Sequence, residues 1–286
     1  MPDVEEGTGA PIRVRTQGRP WYAFGVAIPI GTLGGLIGLG GAEFRLPVLA
    51  GPLGYPARRA VALNVAISLI TVLASLAIRS GTLTLAPIMS LLLPIAAMIA
   101  GAMITAFVGT ALVGRLSNER LERVILVFLT LIGSLLIIEG FLPTQFPALI
   151  PDDPFWQVVS GSLFGLVIGL VSSMLGVAGG ELIIPTLIFA YGAEIKAAGS
   201  ASLLISLPTV LIGVVRYLGQ GAYQGQRDLN ETIAPMGIGS VIGAVIGGLL
   251  VGIVPSAVLK VGLGIILIWS ASRIFYHRRD HPPVPL

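Results

Sequence analysis

The chain has 286 residues, 55% of them hydrophobic and only 11% charged, with a mean hydropathy of +0.93. Soluble domains carry about 25% charged residues, so this composition excludes a water-soluble globular protein and points to an integral membrane protein. There is no Cys, the only His residues are His277 and His281 in the tail, and the net charge is only +3. Disulfides and thiolate chemistry are therefore excluded, and neither a His-based metal site nor a nucleic-acid patch is expected.

Residues 1–20 are polar, rich in Pro and Gly, and carry Arg13, Arg15 and Arg19. They read as a disordered tail and not as a signal peptide, because the apolar run that follows is too long and lacks a cleavage site. Trp21–Ile37 is the first predicted helix, with Trp21 and Tyr22 suited to the membrane interface. Gly38, Gly40 and Gly41 break it. Ala42–Leu53 is a short apolar piece of about 12 residues, about 18 Å as helix, or half a bilayer. Ala60–Ile78, Leu83–Val113 and Leu121–Phe141 are spans, with Arg115, Arg120 and Arg123 between the last two.

Leu142–Trp156 has four Pro, Asp152 and Asp153 and no Lys or Arg, and it reads as a linker between halves. The second half repeats the plan with helix Gln157–Leu175, a break, a short piece Glu181–Tyr191, and spans Ala197–Leu218, Thr232–Val251 and Ser256–Phe275. The expected organisation is a tail 1–20, a first transmembrane repeat 21–141, a linker 142–156, a second repeat 157–276 and a tail 277–286.

The duplication is explicit. Gly38-Leu39-Gly40-Gly41-Ala42-Glu43-Phe44-Arg45-Leu46-Pro47 returns 138 residues later as Gly176-Val177-Ala178-Gly179-Gly180-Glu181-Leu182-Ile183-Ile184-Pro185. The same gapless offset carries Gly54 onto Gly192, Ala60 onto Ala198, Ile67-Ser68-Leu69 onto Ile205-Ser206-Leu207, and Gly81 onto Gly219. Two unrelated apolar segments share scattered Leu and Val. They do not share Glu, Pro and Gly in one register.

Lys and Arg placement decides the topology. If each short piece returns the chain to the side it came from, Arg58, Arg59, Arg115, Arg120, Arg123, Arg216, Arg227, Arg273 and both basic tails share one side. Only Arg79, Lys196 and Lys260 then fall on the other. That polarised arrangement gives five elements per half, an odd number, so the halves are inverted. The predicted fold is an all-α integral membrane protein of two inverted repeats, with eight main spans and two short membrane pieces. Both termini are cytoplasmic and the linker is external. Inverted repeats with broken helices near the midplane are a recurring plan of secondary transporters.

A helix broken in the membrane starts its next segment with the positive end of a dipole, an anion site that needs no cationic side chain. Gly40, Gly41, Ala42, Ala178, Gly179 and Gly180 are the backbone candidates, although small residues also serve plain helix packing. Glu43 and Glu181 lie in the first turns of the short pieces, where a carboxylate can cap the helix or relay a proton. Arg45, whose equivalent is Ile183, can pair with Glu43, meet substrate or snorkel to the interface, the last being the plainer reading. Asn64 and Ser202 are equivalent, and Ser68, Ser206, Thr71 and Thr209 follow them at helical spacing as a polar stripe. Such a stripe can bind anion oxygens, or it can bond back to its own helix. Arg79 and Arg216, near the ends of the same helices, are candidates for anion steering close to the interfaces.

Gly34-Gly35-Leu36-Ile37-Gly38-Leu39-Gly40-Gly41, repeated more loosely at Gly176–Gly180, and the helix start Gly199-Ser200-Ala201-Ser202-Leu203 resemble the sulfite exporter TauE/SafE family. The resemblance covers most of residues 21–276. It departs at Ala62-Leu63-Asn64-Val65 and at Arg45, where an apolar residue is expected. It implies a carrier of sulfite, sulfoacetate or related organosulfonates, generally outward across the bacterial inner membrane. The expected partners are thus the bilayer and a small sulfur-containing anion. A passive anion channel of the same fold is the alternative, and an enzyme is not expected, since no set of catalytic residues is present. No cofactor is implied. The glycine faces at Gly237, Gly239, Gly243 and Gly247–Gly248 can pack helices within one chain or between two in a homodimer.

Overall fold

In hydrocarbon, backbone polar groups must be satisfied within the segment, so apolar runs of this length fold as helices. The computed structural model describes residues 20–82, 86–112, 130–131, 133–138, 140–141, 147–175, 177–223 and 225–276. Among them there is no strand. The helices are α1 Pro20–Ile37, α2 Ala42–Ala50, α3 Ala57–Thr82, α4 Leu92–Leu112, α5 Pro154–Leu175, α6 Gly180–Tyr191, α7 Ile195–Gly219, α8 Ala234–Leu250 and α9 Ser256–Tyr276. Five stretches are long and apolar enough to cross a membrane: Pro20–Ile37, Arg59–Gly81, Pro154–Ser173, Ile195–Gly219 and Gln226–Leu250. Leu92–Ala106, Gly180–Tyr191 and Ser256–Trp269 are shorter apolar helices. The expectations for both tails, for Gly176 and for Arg115, Arg120 and Arg123 lie outside the described residues, as does most of the predicted span Leu121–Phe141.

Several predicted boundaries shift, each for a local reason. The single span Leu83–Val113 is divided, with a helical turn at Ala86–Met89 before α4. Pro94 falls in the first turn of α4, where its missing N–H costs nothing. The short piece ends at Ala50 and not Leu53; Gly51 donates to the Pro47 carbonyl and Gly54, at φ 68°, turns the chain. The linker is shorter than expected at its end, because α5 begins at Pro154. The Asp153 carboxylate accepts from the Phe155 and Trp156 amides, and Pro at the first helical position completes this start. Ahead of α8, the chain makes a π-turn at Leu229–Ile233, and Pro235 sits at the start of the regular helix and does not kink its middle.

Packing depends on glycine. Helix α1 lies along α8, and α4 along α5. A Cβ on Gly239 would collide with the Phe24 carbonyl, and one on Gly101 with the Ser162 carbonyl. A Cβ on Gly31 would lie 2.5 Å from the Ser240 oxygen, and one on Gly169 2.6 Å from the Ala102 oxygen. The two sets interchange under the offset of 138: Gly101 with Gly239, Phe24 with Ser162, Gly31 with Gly169, Ala102 with Ser240. The duplication therefore extends to contacts between helices, well past the register legible in sequence. Gly239, Gly243 and Gly247 all meet α1, so this face is used within the chain.

Polarity is arranged with charge and hydroxyl inside and hydrocarbon outside. Arg45, Asn64, Ser68, Thr71, Ser75, Arg79, Ser200, Ser202, Ser206 and Ser240 are buried, while Leu163, Val167, Leu211, Val215, Ile238, Leu249 and Ile265 face outward. That is the distribution expected of a bundle solvated by lipid. A further polar knot joins the two halves near one end. Arg59 pairs with Asp228, and the Tyr55 hydroxyl contacts Asp228 at 3.4 Å and Thr232 at 2.6 Å. Burial raises the Tyr55 pKa above its ordinary value, so the phenol stays neutral.

Replacing Gly101 or Gly239 with Val is expected to destabilise the bundle by about 1–3 kcal/mol or more, since backbone must separate. Gly25→Ala, with open space around the added methyl, is expected to be harmless. Thermal denaturation followed by size-exclusion chromatography in detergent separates the two outcomes.

Candidate functional site

The short helices start alike. Gly41 caps α2 at φ 73°, and Gly179 caps α6 at φ 81°. Both are left-handed, and no other residue type adopts positive φ anywhere in the described chain. Their equivalents further on, Gly54 and Gly192, share φ 68°. The repeated glycines thus repeat a backbone path.

The two breaks meet. A Cβ on Gly180 would lie 2.9 Å from the Leu39 Cα and 3.2 Å from the Ser202 hydroxyl, and one on Gly40 would lie 3.7 Å from the Ala178 Cβ. A Cβ on Gly38 would collide with the Gly199 backbone, and one on Gly199 with the Ile37 carbonyl. Backbone presses on backbone at the centre of the molecule.

The predicted polar stripe faces this junction. Asn64 donates through Nδ2 to the Ala42 carbonyl at 3.0 Å, and Ser206 donates to the Ala178 carbonyl at 2.8 Å. Ser202 is fully buried with no hydrogen-bond partner for its hydroxyl. Thr71 and Thr209 also bond back to carbonyls of their own helices.

Arg45 does not snorkel. It is completely buried, and its guanidinium donates to the Thr71 hydroxyl (2.7 Å), the Ser240 hydroxyl (3.2 Å), the Gly40 carbonyl (2.6 Å) and the Ser68 hydroxyl (3.4 Å). The interface reading failed because a fork of donors finds four oxygens inside the bundle, two of them on the predicted stripe. Arg79 is likewise buried. It donates to the Ser200 hydroxyl (2.9 Å), to the Gly35 and Leu36 carbonyls (2.9 and 3.3 Å) and to the Lys196 carbonyl (2.7 Å). It thereby caps the end of α1 and ties it to the first turn of α7. Arg216 is half-buried and donates to the Ala106 carbonyl at 3.1 Å.

Glu43 has both carboxylate oxygens buried with no hydrogen-bond partner, so it does not cap α2. It lies within electrostatic range of Glu181 and Arg45. The structure therefore brings the repeated carboxylates into one neighbourhood.

A cavity of about 210 Å³ adjoins the second break, between α3, α4, α5 and α7. Of the predicted site residues, it reaches Ser68, Ala178 and Arg216; Gly40, Gly41, Ala42, Asn64, Gly179, Gly180, Ser202 and Ser206 lie in packed protein beside it. Sequence reasoning missed Ser172, Ser173 and Tyr217 on its wall. The offset could have found them, because they correspond to Gly34, Gly35 and Arg79. Where Tyr217 lines a cavity in the second half, Arg79 fills the equivalent place in the first.

Apolar helices around a polar, glycine-hinged interior define a multi-pass membrane protein of the transporter class. The family model described as Sulfite exporter TauE/SafE matches residues 5–136 and 152–285. The chain belongs to the sulfite exporter TauE/SafE family, whose members are membrane transporters of sulfur anions. No curated protein and no solved structure matches it.

Arg45→Met is expected to cost about 3–5 kcal/mol, because it strands the Gly40 carbonyl and leaves Glu43 without its neighbouring cation. Arg45→Lys, which keeps the charge but not the fork, is expected to lose less. Thermal unfolding of the two purified variants measures the difference.

Proposed function

We propose that the protein is a secondary transporter of small sulfur-containing anions, such as sulfite or organosulfonates, working outward across a bacterial inner membrane by alternating access. The observation that carries this reading is the meeting of both breaks at one buried polar centre, Leu39 on Gly180 and Gly40 beside Ala178. Transporters place substrate and coupling sites at such broken helices. On this reading Gly40, Gly41, Ala42, Asn64, Ser68, Ala178, Gly179, Gly180, Ser202 and Ser206 shape the path of the anion.

The repeats 21–141 and 157–276 are taken as inverted, with eight main spans, two short membrane pieces and cytoplasmic termini. The interchanging glycine contacts support a two-fold relation, and the odd number of elements per half supports inversion. Arginine placement then puts Arg216 on the cytoplasmic side and Arg79 on the outer side. The cavity faces inward, and its outer counterpart is shut by Arg79 and by the contact of Gly38 with Gly199. An exporter waiting for cargo has that asymmetry. A channel is the weaker reading, since backbone contacts close the centre.

Anion counterflow in proteoliposomes tests the proposal, with sulfite, sulfate, a sulfonate and a carboxylate offered against preloaded sulfite. Saturable exchange of sulfite or the sulfonate is expected, and Gly41→Leu and Gly179→Leu should abolish it. Folded protein that exchanges none of the four overturns the substrate class. Coupling is assigned to protons carried by Glu43 or Glu181. Glu43→Gln and Glu181→Gln are each expected to blunt the response of flux to an imposed pH gradient while leaving exchange at equal pH within about threefold. A response unchanged in both variants removes the coupling.

A further inference from the structure

We infer that the path has a second, outward half that is shut in this conformation. It lies along the packed end of the seam between α3 and α7, with Thr71, Ser75 and Arg79 on its wall, and it opens as the cavity beside the second break closes. This rests on the transporter reading and on the inversion of the repeats, and adds to them the residues of the hidden half.

The helices fall into two groups. Helices α1, α2, α3 and α8 pack together, and so do α4, α5, α6 and α7. The offset of 138 exchanges the groups, α1 with α5, α2 with α6, α3 with α7 and α8 with α4. The main contact between them is α3 along α7. These two helices run antiparallel, with Arg79 on Ser200 towards one end and Val65 close to Gly213 towards the other. Two like groups that meet along one seam can part at either end of it.

The two ends of the seam differ. At one end lies the cavity, with Val65, Ser68, Thr209, Val210, Gly213 and Tyr217 on its wall. The offset carries these positions onto Leu203, Ser206, Thr71, Val72, Ser75 and Arg79. All six are buried. One set of positions is therefore open and its duplicate packed. Inverted repeats can exchange their two conformations, which closes the first set and opens the second.

Ser75 marks the hidden wall. It is fully buried and its hydroxyl has no partner, whereas Thr71, one turn earlier, bonds back to the Ile67 carbonyl. The equivalent position holds Gly213, so the duplicated backbone does not require a hydroxyl there. A buried hydroxyl left unpaired is unfavourable, and water or cargo entering an opened seam would complete it. Arg79 is the latch over this wall. From α3 it donates across the seam to the Ser200 hydroxyl (2.9 Å) and the Lys196 carbonyl (2.7 Å) of α7. Gly199 is held between the same guanidinium and α1: a Cβ there would lie 2.9 Å from an Arg79 nitrogen and would collide with the Ile37 carbonyl. A side chain at Gly199 therefore wedges this end apart.

The chain contains no cysteine, so Ser75→Cys and Thr209→Cys each place a single thiol on one of the two walls. Each full-length protein is labelled in sealed vesicles by a charged, membrane-impermeant methanethiosulfonate offered from one face or the other. Thr209→Cys is expected to label from the face on which the cavity opens, and Ser75→Cys slowly and only from the opposite face. Losing one buried hydrogen bond of the closed end shifts a two-state balance about tenfold, so adding Ser200→Ala should speed Ser75→Cys labelling by about that factor. Adding Gly199→Ala should speed it further and slow Thr209→Cys; if that wedge does not fold, Ser200→Ala carries the test alone. Ser75→Cys labelling that neither substitution changes, labelling of both reporters from the same face, or a joint rise at both overturns the outward half. Anion counterflow on the Ser75→Cys protein separates the two readings. Exchange by a protein that never labels leaves the transporter and removes this seam, and labelling from opposed faces without exchange of any anion does the reverse.

Discussion

Everything in this molecule depends on backbone meeting backbone at the centre of the helix bundle. Leu39 lies on Gly180 and Ile37 on Gly199, with no side chain between them. Such an approach is open only to glycine, and it leaves carbonyls and amides of broken helices in a medium without water to satisfy them. The surrounding polar side chains follow from that need. Asn64 and Ser206 close the carbonyls of Ala42 and Ala178, Arg45 closes that of Gly40, and Arg79 closes the end of α1.

The two halves answer the same need differently, and the difference creates the cavity. In the first half, Arg45 and Arg79 fill the space around the break with guanidinium. In the second half the equivalent residues are Ile183 and Tyr217, and neither supplies a cation; Arg216, one residue away from the equivalent of Arg79, stands at the cavity wall instead. A symmetrical pair of breaks thus becomes an asymmetrical pair of environments, one packed and one open. The glycine seams also join α1 to α8 and α4 to α5, so each tightly packed pair draws on both halves of the sequence.

Much of this was legible beforehand. The breaks at Gly38–Gly41 and near Gly176–Gly180, the short helices and the duplicated stripe were readable because glycine, proline and period are local signals. The start of α5 has a local signal too, the capping Asp153 followed by Pro154 at the first helical position, but three further prolines within the preceding 12 residues extend the look of a linker up to it. The burial of Arg45 was not legible, since its partners Thr71 and Ser240 come from helices 26 and 195 residues away. The cavity was hidden for a different reason. It is bounded by small residues such as Ser173 and Gly213, and sequence does not record where side chains fail to fill space.

The seam between α1 and α8 also bears on how the protein is made. Gly31 of α1 meets Ser240 of α8, a residue synthesised about 200 positions later. At roughly 5–20 residues per second, α1 waits about 10–40 s in the membrane before its partner emerges. During that interval its glycine face lacks α8, and the adjacent break has no α7 to rest on. Biogenesis therefore passes through a long-lived, incompletely paired insertion state, and the order of emergence makes the last helices of the chain the ones that lock the first.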